Sequence, residues 1–267
     1  MNFISSSQNQ VIKEVKSLKE KKHREAKGMF FIEGIRFVEE AVKEGIQINK
    51  ILVSEQLVNA SGGKELLERI SIKGYDVFTL PHKLFKEVSD TESPQGVLAV
   101  LHTRNYSLME VYDDNNFFVI LDSVQDPGNM GTIIRTADAA GATAVVVSRG
   151  CVDVYNPKVL RSTMGSLFHV PICYCEDTIE TLKELRVRGV RLYAAHLEGK
   201  FNYFDLSFKN NIAVIIGNEA NGISDEVKDF ADILVRIPMI GKAESLNASV
   251  AAGILMYEVL RNRMQGQ

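Results

Sequence analysis

Five polar side chains in three short segments of the chain could take part in chemistry. They are Asn129, Arg135, Glu219, Ser245 and Asn247. Each segment follows an apolar run that is typical of a buried strand, and polar groups in such places need hydrogen-bond partners or a function. The segment with Ser245 and Asn247 also marks a helix start, where free backbone N–H groups suit a carboxylate or phosphate. The pattern therefore indicates a binding site for an anionic group.

The segment around Ser245 begins the last predicted helix of the chain. Ser245 and Asn247 are favourable N-cap residues. Apolar residues then recur at spacings of three and four, at Leu246, Val250, Ile254, Tyr257 and Leu260. This spacing predicts one apolar stripe that faces a core. Small residues between these positions would let another backbone or a ligand come close to the first two turns.

The elements that position these segments are predicted to form a parallel α/β sheet. Apolar runs without alternation predict strands at 117–121, 144–147, 170–174, 192–195, 212–216 and 233–237. Helices are predicted between them at 131–140, 157–167, 178–188 and 224–230. Strands of this kind are covered on both faces by helices. Ligands bind beyond the carboxyl ends of such strands, which is where the three segments lie.

The front third of the chain, residues 1–104, is predicted to form a smaller αβ domain. Its predicted helices are 8–27, 35–43, 64–72 and 84–88, and its predicted strands are 30–32, 50–54, 76–80 and 96–101. The polar stretch 105–116 has little periodicity and is expected to be a linker. The second domain is then expected at 117–267.

Length and composition agree with two globular domains. The chain has 267 residues, of which 45% are hydrophobic and 24% charged, and no apolar run approaches the roughly 18 residues that a membrane span needs. The N-terminus lacks the features of a secretion signal, so we expect a cytoplasmic protein. The net charge of −3 argues against non-specific polyanion binding by the whole surface. Residues 1–30, however, carry seven basic and three acidic side chains, which fits a solvated helix face or a contact with a phosphate backbone.

Several familiar sites are excluded by spacing. Neither Gly128-x-x-Gly131 nor the segment 217–222 supplies the glycine fingerprint of a dinucleotide site, and no Walker lysine follows either loop. The histidines are scattered, so no metal site is predicted, and no Gly-x-Ser-x-Gly elbow is present. The three cysteines are expected to be reduced, buried thiols: Cys151, Cys173 and Cys175.

Three motifs together resemble the SpoU (TrmH-type) family of the SPOUT methyltransferases. They are Asn129-x-Gly131-x-x-x-Arg135, Ile216-Gly217-Asn218-Glu219-x-x-Gly222, and Ile237-Pro238-Met239 followed by Ser245-Leu246-Asn247-x-Ser249. The resemblance covers 117–264. The front third looks like the family's N-terminal substrate-binding domain, similar to a ribosomal-protein fold that grips kinked RNA. That likeness rests on Gly28-x-Phe30-x-x-Glu33-Gly34-x-Arg36.

The resemblance implies S-adenosyl-L-methionine-dependent methylation of a ribose 2′-hydroxyl in RNA. Ribosomal RNA is the expected target, because a separate substrate-binding domain favours a structured RNA; tRNA remains the alternative. A non-catalytic RNA-binding or ribosome-assembly protein is a further alternative, although such a protein would be expected to have lost Arg135, Glu219 or Asn247. The family also implies a deep trefoil knot and a homodimer with the active site near the subunit interface.

Family positions imply a role for each of the five polar residues. Arg135 would be catalytic, Asn129 and Ser245 would position it or the ribose, and Glu219 and Asn247 would orient the polar network. Because arginine stays protonated in proteins, we expect Arg135 to bind the phosphate and stabilise charge. Taken singly, Arg135 could instead form a helix-face salt bridge, and Glu219 could merely cap the helix predicted near residue 224.

The remaining expected sites concern the cofactor and the RNA. By family position, S-adenosyl-L-methionine would lie against Gly217, Ile237, Met239, Leu246 and Asn247. Gly217 is expected to permit close approach of this cofactor. The candidate RNA contacts in the front domain are Lys19, Lys21, Lys22 and Arg36, with Glu33 and Gly34 at a strand-to-helix turn that faces the RNA.

Overall fold

The computed structural model describes residues 2–265, which form two compact units. The first unit contains the chain up to Arg104 together with Tyr155–Leu160, and the second contains Asn105–Val154 together with the chain from Arg161 onward. No helix within 2–265 is long and apolar enough to cross a membrane.

The first unit is built on a mixed five-stranded sheet. Its strands are β1 (Asn2–Phe3), β2 (Met29–Glu33), β3 (Ile48–Ser54), β4 (Val77–Leu80) and β5 (Val97–His102), in the order β1-β4-β3-β5-β2. Strands β1, β4 and β3 are parallel, and β5 runs antiparallel to both β3 and β2. Its helices are α1 (Gln10–Ser17), α2 (Lys21–Lys27), α3 (Ile35–Lys43), α4 (Gln56–Asn59), α5 (Gly63–Lys73) and α6 (His82–Val88).

The single helix predicted at 8–27 is wrong, because the chain forms α1 and α2 with a break between them. Leu18 is buried and ends α1, and Glu20 has the extended backbone of an N-cap residue. The guanidinium Nη1 of Arg24 donates to the carbonyl oxygens of Leu18 and Lys19, both at 2.8 Å, and the Arg24 residue is only 5% exposed. One of the basic residues counted on the helix surface is therefore part of the internal packing.

The second unit contains a seven-stranded sheet in which every strand pair is parallel. Its strands are β6 (Phe117–Leu121), β7 (Ala144–Ser148), β8 (Ile172–Cys175), β9 (Arg191–Ala195), β10 (Phe201–Asn202), β11 (Ile212–Ile216) and β12 (Ile233–Arg236). Their order is β10-β12-β9-β11-β6-β7-β8. Strands β6, β7 and β11 are buried at every residue, which explains their unbroken apolar runs. The predicted parallel sheet is confirmed, and the trefoil knot stays a prediction.

The helices of the chain beyond residue 104 differ from the predictions at several ends. They are α7 (Leu108–Val111), α8 (Pro127–Ala139), α9 (Pro157–Thr163), α10 (Thr178–Val187), α11 (Asp225–Phe230) and α12 (Ala248–Met264). Helix α8 begins four residues earlier than predicted because Asp126 acts as its N-cap and Pro127 occupies the first helical position. Helix α9 stops at Thr163, since Met164 and Gly165 have positive φ angles of 52° and 98°.

The stretch 105–116, expected to be a linker, is a folded part of the second unit. Ser107 and Glu110 form a capping box at the start of α7. Partly buried apolar side chains from this stretch pack on the sheet core: Tyr106, Leu108, Val111 and Tyr112. Its polar composition concealed the apolar positions that anchor it.

The core-facing stripe predicted for the last helix is also wrong. Helix α12 begins at Ala248, with Asn247 as its N-cap, and buries Ala252, Leu255, Met256 and Val259. Two residues of the predicted stripe, Val250 and Tyr257, are 50% and 52% exposed. Since apolar residues occur on most sides of this helix, their spacing alone does not identify the face that packs on the sheet.

Candidate active site

A cavity of about 620 Å³ lies at the carboxyl ends of β9, β11 and β12. Its walls come from three strand-end segments and from the start of α12. The lining residues with side chains or backbone at its surface include Ala195 to Glu198, Ile216 to Gly222, Ile237, Met239, Glu244 to Leu246, Ala248 and Ala251. This is the position where open parallel sheets bind their ligands.

Most of the predicted cofactor residues lie on this cavity. Gly217, Ile237, Met239 and Leu246 line it, as do Glu219 and Ser245 from the predicted catalytic set. Asn247 is the exception among the cofactor candidates, because its side chain is directed into hydrogen bonds at the start of α12. The sequence motifs thus identified the segments that surround one cavity.

The reason for glycine at position 217 differs from the one expected. A Cβ atom there would overlap the carbonyl group of Gly222 and the backbone nitrogen of Ile223. The segment 217–222, which we call the cavity loop, closes on itself: the Asn218 N–H donates to the Gly222 oxygen at 2.8 Å, and the Gly222 N–H donates to the Asn218 oxygen at 2.9 Å. The close approach at Gly217 is therefore made by the loop's own backbone.

Glu219, Asn129 and Asn247 form one hydrogen-bonded chain. The Glu219 carboxylate accepts the backbone N–H groups of Gln125 and Asp126 and the Nδ2 of Asn129, each at 3.0 Å. The Oδ1 of Asn129 accepts the Nδ2 of Asn247 at 2.9 Å. The structure thus brings together three of the five predicted polar residues, although Glu219 and Asn247 are 90 and 118 positions from Asn129 in sequence.

Asn247 extends this chain to the start of α12. Its Oδ1 accepts the backbone N–H groups of Ser249 at 2.9 Å and Val250 at 3.3 Å, and the Ser249 hydroxyl at 2.7 Å. Asn129 lies in the first turn of α8, and its backbone N–H donates to the capping carboxylate of Asp126 at 2.8 Å. The polar chain therefore joins the starts of α8 and α12 to the cavity loop.

The hydrogen bonds also determine the charge of Glu219. Partial burial raises the pKa of its carboxyl group, but the donors from Asn129, Gln125 and Asp126 outweigh burial and hold that pKa below its usual value. The simpler hypothesis, that Glu219 caps α11, is not observed, because the Glu219 carboxylate binds residues 125, 126 and 129 instead. The N–H of Ser224, the residue before α11, donates to Asp122 Oδ2 at 2.7 Å. It is an ionised acceptor placed before α8.

Arg135 and Ser245 stand apart from this hydrogen-bonded chain. Arg135 is exposed on α8, two turns beyond Asn129, and its guanidinium forms no ion pair within 2–265. The simple helix-face salt bridge is therefore not observed in this part of the chain. Ser245 is exposed and lies on the cavity wall.

Sequence reasoning missed two polar residues that build the site. Asp122 is buried and binds the backbone at Ser224, so it fixes the chain after the cavity loop. Asn218 binds both the cavity loop and the chain near Ser123. Asn218 stands within a quoted motif, and asparagine is a common turn residue, but its partner at Ser123 is 95 positions away.

The cavity wall carries charged groups besides Glu219. Lys228 Nζ and Glu198 Oε2 are 3.1 Å apart, and Glu244 adds an exposed carboxylate.

The cysteines are unpaired, and burial raises the pKa of Cys173 to about 11. Its thiol is therefore protonated at neutral pH. Cys173 and Cys175 are buried as predicted, whereas Cys151 is only partly buried.

The candidate RNA contacts in the first unit have different environments. Lys19 Nζ donates to the Ser89 carbonyl oxygen at 2.6 Å and is half-buried, so it is committed to internal packing. Lys21 and Lys22 are exposed and form only surface ion pairs with neighbouring glutamates. Arg36 is exposed in the first turn of α3.

Glu33, expected to face RNA, is turned toward the chain after α6 instead. Its carboxylate accepts the hydroxyls of Ser89 at 2.6 Å and Thr91 at 2.7 Å, and the Asp90 N–H at 2.9 Å. Nearby, the Ile35 N–H donates to Gln95 Oε1 at 2.9 Å. Glu33 therefore holds the 89–91 segment at the end of β2, three residues before Arg36.

The combination of a parallel sheet, a strand-end cavity and a helix start on its wall defines an α/β ligand-binding domain of enzymes. Residues 116–257 match the family model of the SpoU rRNA Methylase family, and residues 9–99 match that of the MRM3-like substrate binding domain. The first match covers more than half of the chain. This chain belongs to the SpoU rRNA methylase family.

Individual relatives agree with this assignment over nearly the full chain. It is 38% identical to the Bacillus subtilis protein named 23S rRNA (guanosine(2553)-2'-O)-methyltransferase RlmP, covering 97% of this chain and 99% of the relative. The AdoMet-bound rRNA methyltransferase from Sinorhizobium meliloti matches with a TM-score of 0.87 and 31% identity, over 97% of each chain. The SpoU methyltransferase AviRb from Streptomyces viridochromogenes, in complex with AdoMet, matches with a TM-score of 0.87 and 30% identity, over 97% of this chain and 100% of AviRb. The predicted family and fold class are confirmed.

Proposed function

We propose that this protein transfers a methyl group from S-adenosyl-L-methionine to a ribose 2′-hydroxyl of ribosomal RNA. The observation that carries the proposal is the hydrogen-bonded chain of Glu219, Asn129 and Asn247 beside a strand-end cavity, in a member of the SpoU family. Asn129 is buried between the exposed side chains of Glu219 and Asn247, and a buried amide of this kind is retained where both of its ends have partners, as here.

The cavity suits the proposed cofactor in size and chemistry. Its volume of about 620 Å³ lies in the range of small-molecule sites. The backbone at Gly217, Ile237, Met239 and Leu246 can bind an adenine without charged side chains, and the carboxylates of Glu198 and Glu244 lie on the same wall. When bound, S-adenosyl-L-methionine supplies an electrophilic methyl group on a positively charged sulfur.

The protein residues position the ribose and its phosphate. Arg135, protonated and exposed on α8, binds the substrate phosphate and stabilises charge as the hydroxyl loses its proton. Asn129 and Ser245 orient the ribose or Arg135. Glu219 and Asn247 hold Asn129 from both sides, so that its amide keeps one orientation.

Ribosomal RNA is the proposed substrate rather than tRNA. The match of residues 9–99 to a substrate-binding domain and the name of the 23S rRNA relative support this choice. We assign RNA binding to residues 1–104 and catalysis to residues 117–267. A non-catalytic RNA-binding role is disfavoured because Arg135, Glu219 and Asn247 are all present.

Lys21, Lys22 and Arg36 are the proposed contacts with the RNA backbone. Each is exposed, whereas Lys19 supports the surface from within. Surface ion pairs such as those of Lys21 and Lys22 contribute little to stability and can be exchanged for phosphate contacts. The location we propose is the cytoplasm, where ribosomal RNA is modified.

A homodimer accounts for the apolar side of α12 that the sheet leaves uncovered. Val250 and Tyr257 are half exposed, and Ile254 lies between them in the same stripe. Covering these side chains with a second copy would remove apolar surface from water. We expect Val250→Asp to shift the protein from dimer to monomer in sedimentation, and a dimer unaffected by the change would remove α12 from the interface.

The direct test is incubation of the protein with methyl-labelled S-adenosyl-L-methionine and unmodified ribosomal RNA or tRNA. We expect label in ribosomal RNA. Label in tRNA alone would make tRNA the substrate instead. A protein that transfers no label and does not bind the cofactor would favour the non-catalytic role.

A further inference from the structure

Asn218 is bound at both ends of its side-chain amide, to two different loops. Its Oδ1 accepts the backbone N–H groups of Ala220 at 2.9 Å and Asn221 at 3.1 Å. These two bonds, with the backbone pair between positions 218 and 222, fold the cavity loop into its closed shape. The acceptor end of Asn218 therefore shapes one wall of the cofactor cavity.

The donor end of Asn218 reaches the segment that follows β6. Its Nδ2 donates to the carbonyl oxygen of Ser123 at 2.8 Å. Ser123 has a φ of 61°, in the left-handed region that a residue with a Cβ atom seldom adopts. Such a conformation costs energy and persists only where the surroundings fix it. The Ser123 N–H is also held, by Ser148 Oγ at 3.0 Å.

The direction of the chain at Ser123 matters for the catalytic set. Gln125 and Asp126, two and three residues further on, present the two N–H groups that hold the Glu219 carboxylate. Helix α8 begins directly afterwards and carries Asn129 and Arg135. A change in the backbone at Ser123 would therefore move the donors of Glu219 and the first turn of α8 together.

We propose that Asn218 is a positioning residue that couples the cofactor cavity to α8. Its Oδ1 keeps the cavity loop in shape, and its Nδ2 keeps the chain before α8 in the conformation that places Asn129 and Arg135. This inference rests on the proposed methyl transfer. Asn218 would act through the loops it holds, not by contact with the ribose or its phosphate. The effects of its Oδ1 and Nδ2 atoms can be separated.

Aspartate and alanine at position 218 separate these effects. Aspartate keeps an acceptor for the Ala220 and Asn221 N–H groups but cannot donate to Ser123, whose carbonyl oxygen it would repel. Alanine loses both functions. Asn115→Asp, at the opposite end of β6 and exposed, is the matched control for an added charge.

The experiment measures the dissociation constant of S-adenosyl-L-methionine by calorimetry and the single-turnover methyl-transfer rate at saturating cofactor and RNA. For Asn218→Asp we expect cofactor affinity within about twofold of wild type and a rate lower by about tenfold or more, since the partly buried Ser123 carbonyl loses its donor and faces a like charge. For Asn218→Ala we expect both quantities to worsen, with cofactor affinity lower by about fivefold or more. Asn115→Asp should match wild type in both.

The proposal is overturned if Asn218→Asp transfers at the wild-type rate, or if it loses cofactor affinity as far as Asn218→Ala does. Thermal unfolding monitors the fold of each variant, and the aspartate variant alone decides if the alanine variant does not fold. A wild-type protein that binds cofactor but transfers no methyl group would instead overturn the proposed function. In that case the two dissociation constants still decide the role of Oδ1.

Discussion

Two glutamates in different parts of the molecule make the same kind of connection. Glu33 ends β2 in the first unit, and Glu219 follows β11 in the second. Each carboxylate accepts backbone N–H groups and side-chain donors from a segment distant in sequence. A carboxylate that accepts several hydrogen bonds from one segment holds that segment more firmly than a single bond would.

The difference lies in what the fixed segment carries. The donors to Glu33 are two hydroxyls and one N–H from 89–91, and the exposed Arg36 follows Glu33 by three residues. Glu219 instead borders a cavity, and its network continues through Asn129 to Asn247. Under the proposed function, the first connection would support RNA recognition and the second methyl transfer, so variants in each unit should affect different steps.

The largest effect is expected from Arg135→Ala. Because its guanidinium is exposed and makes no ion pair within 2–265, its removal should leave the fold intact. Methyl transfer should fall by about a thousandfold or more, since a charge that stabilises the transition state is lost. Cofactor affinity should stay within severalfold. Rates with saturating cofactor measure this change, and near wild-type turnover would refute the assignment.

Glu219→Gln should reduce transfer by about ten- to a hundredfold, because the glutamine amide replaces one acceptor oxygen by a donor that faces other donors. Asn129 would lose its fixed orientation, whereas RNA affinity should remain near that of wild type. Single-turnover rates and RNA binding, measured on the same preparation, test this separation. A parallel loss of RNA affinity would contradict the division between the two units.

The pH dependence of stability provides a second test of Glu219. Since folding lowers the pKa of its carboxyl group, the ionised form stabilises the folded state above the unfolded-state pKa. That contribution is lost as pH falls through the lower, folded-state pKa. The difference in thermal midpoint between wild type and Glu219→Gln should therefore be constant near neutral pH and shrink in acid. A difference that grows in acid would contradict the lowered pKa.

Glu33→Gln should weaken RNA binding by about fivefold and leave cofactor affinity unchanged. The bonds from the 89–91 segment would be disturbed, and so would the end of β2, from which the chain enters α3 and reaches Arg36. Filter binding with ribosomal RNA fragments measures the first quantity and calorimetry the second. Unchanged RNA affinity would limit Glu33 to a role in folding.

The smallest effect is expected from replacing Lys21 and Lys22 together by alanine. RNA affinity should fall by about threefold to tenfold. The slope of the logarithm of affinity against the logarithm of salt concentration should decrease by the equivalent of up to about two phosphate contacts. Binding curves at several salt concentrations test this. A loss of affinity without a change in the salt dependence would argue against direct phosphate contacts.

Sequence reasoning succeeded where local patterns determine structure. The unbroken apolar runs gave the bounds of β6 and β11, and the pattern after Gly34 gave those of α3. The motif residues Gly217, Glu219 and Ser245 lie around one cavity, and their roles in cofactor binding and catalysis stay predictions.

It failed where particular contacts, rather than a periodic pattern, determine the structure. The break between α1 and α2 depends on bonds from Arg24, and the buried face of α12 depends on which side meets the sheet. The requirement for glycine at 217 comes from Gly222 and Ile223. None of these contacts leaves a periodic signal in the sequence.

Methylation of a ribose oxygen differs from methylation of a base in the position of the methyl group in the RNA product. Labelled ribosomal RNA from the reaction would be hydrolysed in alkali, which requires a free 2′-hydroxyl beside each cleaved phosphate. If the ribose is methylated, we expect the label in an alkali-resistant dinucleotide with the wild-type protein and no labelled dinucleotide with Arg135→Ala. Label released in mononucleotides would mean that a base is methylated, which would contradict methyl transfer to the ribose 2′-hydroxyl.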